Sequence, residues 1–189
     1  MSSHHIVREK QEPALVVLGL KHFSDELLGQ LLEWSPTVIT VPDVAEQLNA
    51  QVIKIDYIIA DTIDEALQAD VKRIAPGSEP AIQAALGYLT HSGYKAVNVV
   101  ADDIVLKDFE EFVDKINQVI YSGGQKTYAI TSGFSKWKPA GDIVQLLTDS
   151  TGLSISGYYQ REGNKITTIQ DGFLSLKFDS PFIFIAEEM

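Results

Sequence analysis

The 189-residue sequence contains no cysteine. Disulfides, thiolate zinc sites and thiol catalysis are therefore excluded, and the chain suits a reducing compartment. Basic residues are also few, with 15 Lys and Arg against 26 Asp and Glu and a formal net charge of −11. They are scattered, the densest stretch being Lys136-Trp137-Lys138. Phosphate backbones and anionic membrane surfaces are held by clustered cations, so neither nucleic acid nor a membrane is an expected partner. No run approaches the roughly 18 apolar residues of a membrane span. The polar start, Met1-Ser-Ser-His-His-Ile-Val-Arg-Glu-Lys10, lacks the apolar core of a secretory signal, and the cytoplasm is the expected location. Walker A, G-x-G-x-x-G, G-x-S-x-G and H-E-x-x-H motifs are all missing. His4 and His5 have no partner ligand nearby in sequence and read as a terminal detail. His22 and His91 are isolated and read as surface or helix-end residues.

What is present is ordinary globular composition, 45% hydrophobic and 22% charged, enough for a real core. The first two-thirds alternates strand and helix patterns. Leu15–Leu20, Thr37–Val41, Tyr57–Ala60, Val97–Ala101 and Thr127–Thr131 are apolar or β-branched runs that predict strands. Between them, Leu27, Leu28, Leu31 and Leu32 make a helical stripe behind a Ser24 cap, and Trp34 beyond it is expected in the core. Asp43–Ala50 fits a short helix. Ser78-Glu-Pro80 opens another, with Ile82, Ala85, Leu86 and Leu89 on one face and Gly93 as its stop. Phe109, Phe112, Val113 and Ile116 predict a further helix ended by Gly123-Gly124. This order implies a Rossmann-like α/β half with a mostly parallel sheet and flanking helices, residues 1–132.

From residue 133 to 189 the pattern is β with tight turns. Ile143–Leu147, Leu153–Tyr159, Lys165–Gln170, Phe173–Phe178 and Phe182–Ala186 are the expected strands, with Glu162-Gly-Asn164 and the hairpin pair Asp171-Gly172 as turns. A small β-sandwich follows from that spacing. The apolar Phe182-Ile-Phe-Ile185 is a candidate assembly edge.

Open α/β sheets gather ligands beyond the carboxyl ends of their strands. The segments expected there carry Asp43, Asp61, Asp64, Asp102 and Asp103. Carboxylates at a crevice edge can hold Mg²⁺, although Asp also serves routinely as a helix cap and loop residue. Trp137 lies between two lysines at the junction of the halves, where it can pack as a hinge residue or stack on a flat ligand.

The stretch Ile55-Asp-Tyr-Ile-Ile-Ala-Asp-Thr-Ile-Asp64, together with the order of elements and the β tail, resembles the thiamin pyrophosphokinase family over roughly residues 13–186. That family carries P-D-y-i-i-G-D-f-D-S here. Asp56, Tyr57, Ile58, Ile59 and Asp61 fall in register; Ala60, Ile63 and Asp64 replace glycine, aspartate and serine. The resemblance implies a catalytic α/β domain, a thiamin-binding β-sandwich and a homodimer holding thiamin between halves of different chains. It also implies ATP and Mg²⁺, with pyrophosphate passed to thiamin and AMP released. On this resemblance Asp61 is the candidate metal ligand, Asp61 and Asp64 the residual catalytic candidates, and Asp43, Asp102 and Asp103 the cofactor-binding candidates.

Other family motifs are missing. Thr40-Val-Pro-Asp-Val-Ala45 stands where the family has D-G-G-A, Ser78-Glu-Pro-Ala81 where it has K-D-x-T-D, and Ala101-Asp-Asp-Ile-Val105 where it has G-R-x-D-H. The serine-asparagine pair of its β half is not visible. Pyrophosphoryl transfer rests on positioning and on neutralising phosphate charge, so these losses weigh against catalysis. The expectation is a thiamin pyrophosphokinase-like protein with a degraded ATP/Mg²⁺ site that binds thiamin, its phosphate or a nucleotide. The alternatives are an active enzyme with displaced aspartates and a structural or interaction module.

Overall fold

The computed structural model describes residues 12–62 and 70–189. His4, His5, Ile63 and Asp64 lie outside the described residues. The chain divides into two compact units, Met1–Gly123 and Gly124–Met189. The division falls ahead of the residue 132 boundary expected from the sequence.

In the first unit, β1 (Ala14–Val17) is buried at every position and lies between β2 (Val38–Thr40) and β5 (Ala96–Val100). β3 (Tyr57–Ile59) and β4 (Lys72–Ile74) extend the sheet beyond β2, and β6 (Asn117–Ser122) extends it beyond β5. Among the described residues the order is β6-β5-β1-β2-β3-β4, every neighbouring pair parallel. The central strands read as unbroken apolar runs because both their faces are covered.

On one face lie α1 (Asp25–Leu32) and α2 (Pro42–Ala50). Leu28, Val44 and Leu48 of these helices pack with Leu15, Val17 and Ile58 of the strands. The Ser24 hydroxyl accepts from Leu27 N at 3.2 Å, as its cap position predicts. The chain then returns from β4 to β5 through α3 (Ala81–His91), which meets β1, β3 and β4. A right-handed crossover running back across the sheet places this helix on the opposite face. Its stripe of Ile82, Ala85, Leu86 and Leu89 is buried as expected. Each such Leu or Ile contributes about 1.5–3 kcal/mol.

Three sequence expectations change in this unit. The Phe109, Phe112, Val113 and Ile116 stripe is not a continuous helix. Only α4 (Lys107–Glu110) is helical, and the residues after it turn through i→i+3 bonds such as Phe112 N to Phe109 O at 3.1 Å. Phe109, Phe112 and Ile116 are still buried, so the apolar spacing reported burial and not the backbone's path. Asn117–Ser122, read as the tail of that helix, is β6. Gly123-Gly124 therefore follows a strand, both residues with left-handed φ of 58° and 75°. Trp34, expected in the core, is 69% exposed beyond the end of α1. The short, charged β4 carried no strand pattern.

The second unit holds two antiparallel sheets. β7 (Gln125–Ile130), β9 (Ile143–Leu146), β11 (Tyr159–Glu162), β12 (Lys165–Thr168) and β14 (Ile183–Glu188) form one, in the order β11-β12-β9-β14-β7. β8 (Phe134–Lys138), β10 (Ser154–Ser156) and β13 (Gly172–Lys177) form the other, in the order β10-β13-β8. Val144, Leu146, Ile166 and Ile185 of the first sheet share a core with Leu174 and Leu176 of the second. The small β-sandwich is as expected, with five differences, the first being β8, where no strand was expected. The Thr127–Thr131 strand belongs to this unit as an antiparallel member. Leu153–Tyr159 is two strands, because Gly157, at φ 126°, turns where an added Cβ would lie 2.6 Å from Phe173 O. Asp171-Gly172 is no hairpin, since it joins β12 of one sheet to β13 of the other; Asp171 instead accepts from Ala140 N at 2.8 Å. Phe182-Ile-Phe-Ile185 is no edge either, because β14 lies between β9 and β7 with Ile183, Phe184 and Ile185 fully buried.

Candidate ligand crevice

Parallel pairing brings the carboxyl ends of β1 to β6 to one edge of the first unit. The chain moves outward from β1 to β4, then crosses back to β5 on the other side of β1. The switch point is therefore between β1 and β5, where such sheets open their ligand crevice.

Here the protein's own hydrogen bonds bridge that position. Beyond the strands, Leu18 N donates to Val100 O at 2.7 Å. Asp102, after β5, accepts from Lys21 N at 2.8 Å through Oδ1, while its carbonyl accepts from Ser122 Oγ at 3.0 Å. Gly19 permits this approach, since a Cβ there would lie 2.4 Å from Asp102 Oδ2 and 2.8 Å from Asp102 N. Asp102 is legible in the sequence as a crevice residue, whereas Gly19 is not marked by any of the motifs above. A glycine after an apolar strand, facing an acidic loop, is the signal that could have found it.

The other sequence-predicted acids are spread along the same edge. Asp43 is exposed in the first turn of α2, where a carboxylate complements the helix dipole. Asp61 is exposed after β3, and its backbone carbonyl accepts from Arg73 Nη1. Asp103 is exposed beside Asp102. Among the described residues, no three His, Asp or Glu side chains come together as a metal-holding group.

Asp56, in register with the family motif, lies at the amino end of β3. Its Oδ2 accepts from Val38 N at 2.9 Å and its Oδ1 from Lys54 Nζ at 2.6 Å. The hydrogen bond and charge of Asp56 raise the Lys54 ammonium above its ordinary range. This pair lines a cleft of about 480 Å³ with Leu32, Ser35, Val38 and Val52. A second cleft, about 410 Å³, lies in the β unit among Thr148, Asp149, Arg161 and Asn164. None of Asp43, Asp61, Asp102 and Asp103 lines either cleft.

In the β unit, Trp137 is 52% exposed on β8, beside its register partner Phe173 on β13. Both lie on the outer face of the three-stranded sheet, where a flat ligand could stack. Alternation sends Lys136 and Lys138 inward. Glu187 on β14 receives Lys136 Nζ at 2.6 Å on Oε2 and holds Lys138 Nζ at 2.7 Å from Oε1. Asp142 adds a contact to Lys138 at 3.2 Å. Burial alone would raise the Glu187 carboxyl, but the two ammonium groups and the Tyr128 hydroxyl outweigh it and hold it below the usual glutamate range. Burial, and then the Glu187 charge, push the Tyr128 hydroxyl well up. This cluster is not legible in the sequence, because its members are far apart in the chain.

A sheet of parallel strands with a switch point, followed by a two-sheet β unit, defines a class of α/β proteins carrying a small β-sandwich. The particular fold is that of the thiamin pyrophosphokinases. A probable thiamine pyrophosphokinase from Staphylococcus saprophyticus subsp. saprophyticus matches at a TM-score of 0.68 and 10% identity, covering 93% of this chain and 98% of that one. The enzyme from Geobacillus thermodenitrificans matches at 0.67 and 13%, covering 93% and 97%. That from Candida albicans matches at 0.64 and 12%, covering 94% and 90%. No family model and no curated protein matches the sequence.

Proposed function

We propose that this chain is a thiamin pyrophosphokinase-like protein whose ATP and Mg²⁺ site is degraded, so that it binds a small ligand without transferring pyrophosphate. The observation that carries this reading is the engagement of Asp102: its carboxylate accepts a backbone N–H at the switch point and packs on Gly19. Carboxylates used to tie loops and strands together are poorly free to neutralise a triphosphate through a metal. The fold match over at least 93% of the chain supports thiamin, its phosphate or a nucleotide as the ligand class. Trp137 is the side chain assigned to stack on it, with the α/β unit as the former catalytic domain and the β unit as the thiamin-binding one. A homodimer in the cytoplasm completes the reading. No helix among the described residues is long and apolar enough to cross a membrane.

The test is release of AMP from ATP and Mg²⁺ by the purified protein, with and without thiamin. No AMP above background is the expected result. Thiamin-dependent AMP would establish the active alternative, in which Asp43, Asp61, Asp64, Asp102 and Asp103 supply metal ligands from shifted positions; Asp61→Asn should then abolish turnover.

A further inference from the structure

Backbone N–H groups beside a parallel-sheet switch point are anion receptors in many α/β proteins. In this chain the loop after β1 presents such a donor, Lys21 N, to the space beyond β1 and β5. The acceptor it meets is Asp102 Oδ1, at 2.8 Å. The other oxygen, Oδ2, lies over Gly19, so close that no larger residue would fit beneath it. The Asp102 main chain is anchored as well, through Ser122 Oγ to its carbonyl at 3.0 Å and, one residue earlier, Ala101 N to Tyr121 O at 3.1 Å. A negatively charged group, bound through a backbone donor against a glycine, thus already occupies the switch point.

We infer that Asp102 acts as an intramolecular substitute for a ligand anion, and that it determines specificity by excluding phosphoryl groups from this crevice. The inference rests on the altered-site reading above and explains it at one residue. A phosphate entering the same place would have to displace the carboxylate from Lys21 N, and one seated beside it would meet like charge at short range. Within the ligand class proposed above, this narrows the crevice to the unphosphorylated, cationic thiamin-like member and closes it to the phosphorylated ones and to pyrophosphate.

The experiment is calorimetric titration of inorganic pyrophosphate into the wild-type chain, Asp102→Asn, Asp102→Ala and Asp103→Asn at low ionic strength. Asp102→Asn keeps an oxygen for Lys21 N but removes the charge; Asp102→Ala also vacates the space. Asp103→Asn removes the same unit of charge from the exposed neighbour. Asp102→Ala is expected to bind pyrophosphate about tenfold tighter than wild type, a difference of about 1.4 kcal/mol. Asp102→Asn should show a smaller gain and Asp103→Asn none. The Lys21 amide resonance should move on adding pyrophosphate to Asp102→Ala and stay still in wild type. If Asp102→Ala fails to fold, Asp102→Asn decides. Affinities within twofold of wild type for the Asp102 variants, or an equal gain in Asp103→Asn, would overturn the inference. Loss of the function reading is separable, since it appears as AMP release by the unaltered protein.

Discussion

At the scale of single residues, the chain spends charge on structure. Glu187 is the clearest case. Its side chain is 8% exposed, as is 7% of Lys138, so each needs the other once removed from water. Among the described residues, replacing Glu187 by Gln leaves Lys138 with Asp142 as its anionic partner, at 3.2 Å. The cost should be about 3 kcal/mol, the scale for breaking a buried pair. The pH dependence follows from the lowered carboxyl. A depressed folded-state pKa stabilises fully above the unfolded value, about 4.3 for glutamate, and the contribution is lost as pH falls through the folded value. Melting temperatures measured between pH 3 and 7 should therefore drop more steeply in wild type than in Glu187→Gln below about pH 4.3. Parallel curves would show that the pair adds no pH-linked stability.

At the scale of elements, the helix ends are where sequence and backbone disagree. α2 ends with Gln51 as its cap, followed by Val52 at φ 59°, closed by Val52 N to Asn49 O and Ile53 N to Leu48 O, both at 3.0 Å. This is the glycine position of a helix stop, held by a β-branched residue that strains there. Val52 is 92% exposed, so its side chain returns little packing. Val52→Gly should stabilise the protein by about 0.5–1 kcal/mol, strain relief exceeding glycine's entropic cost. Denaturant unfolding checks it; a destabilised variant would mean that the valine makes a contact worth more than the strain. Elsewhere the same logic was readable in advance. Ser24 caps α1 and Gly93, at φ 83°, ends α3, both as their positions in the sequence suggested.

For the whole molecule, net charge is the dominant sequence property. At −11 the folded chain repels itself, and compaction brings those charges closer. Raising NaCl from about 0.02 M to 0.3 M shortens the screening length severalfold and should raise the melting temperature by about 2 °C or more at pH 7. The Glu187–Lys138 pair is buried and should be screened little, whereas Lys136, with 41% of its side chain exposed, is open to screening. A fall in melting temperature would mean that exposed ion pairs stabilise the protein more than self-repulsion destabilises it.

The sequence by itself determined the class of architecture, because short apolar runs alternating with helical stripes leave few ways to bury both. It also marked β1, β2, β3 and β5 and the helices α1, α2 and α3, whose patterns are local and strong. What the tertiary structure decided were the features set by partners distant in the chain. β4 and β6 are strands because a neighbouring strand accepts them, despite a charged pattern in one and a preceding helical stripe in the other. Asp171-Gly172 became a crossing between sheets because β12 and β13 found different neighbours. Asp102 could be read as a crevice residue from its place after a strand, yet its engagement with Lys21 N, 81 residues earlier, arises only when β1 and β5 lie side by side. Local pattern reports which residues are buried; long-range pairing fixes which carboxylates remain free for chemistry.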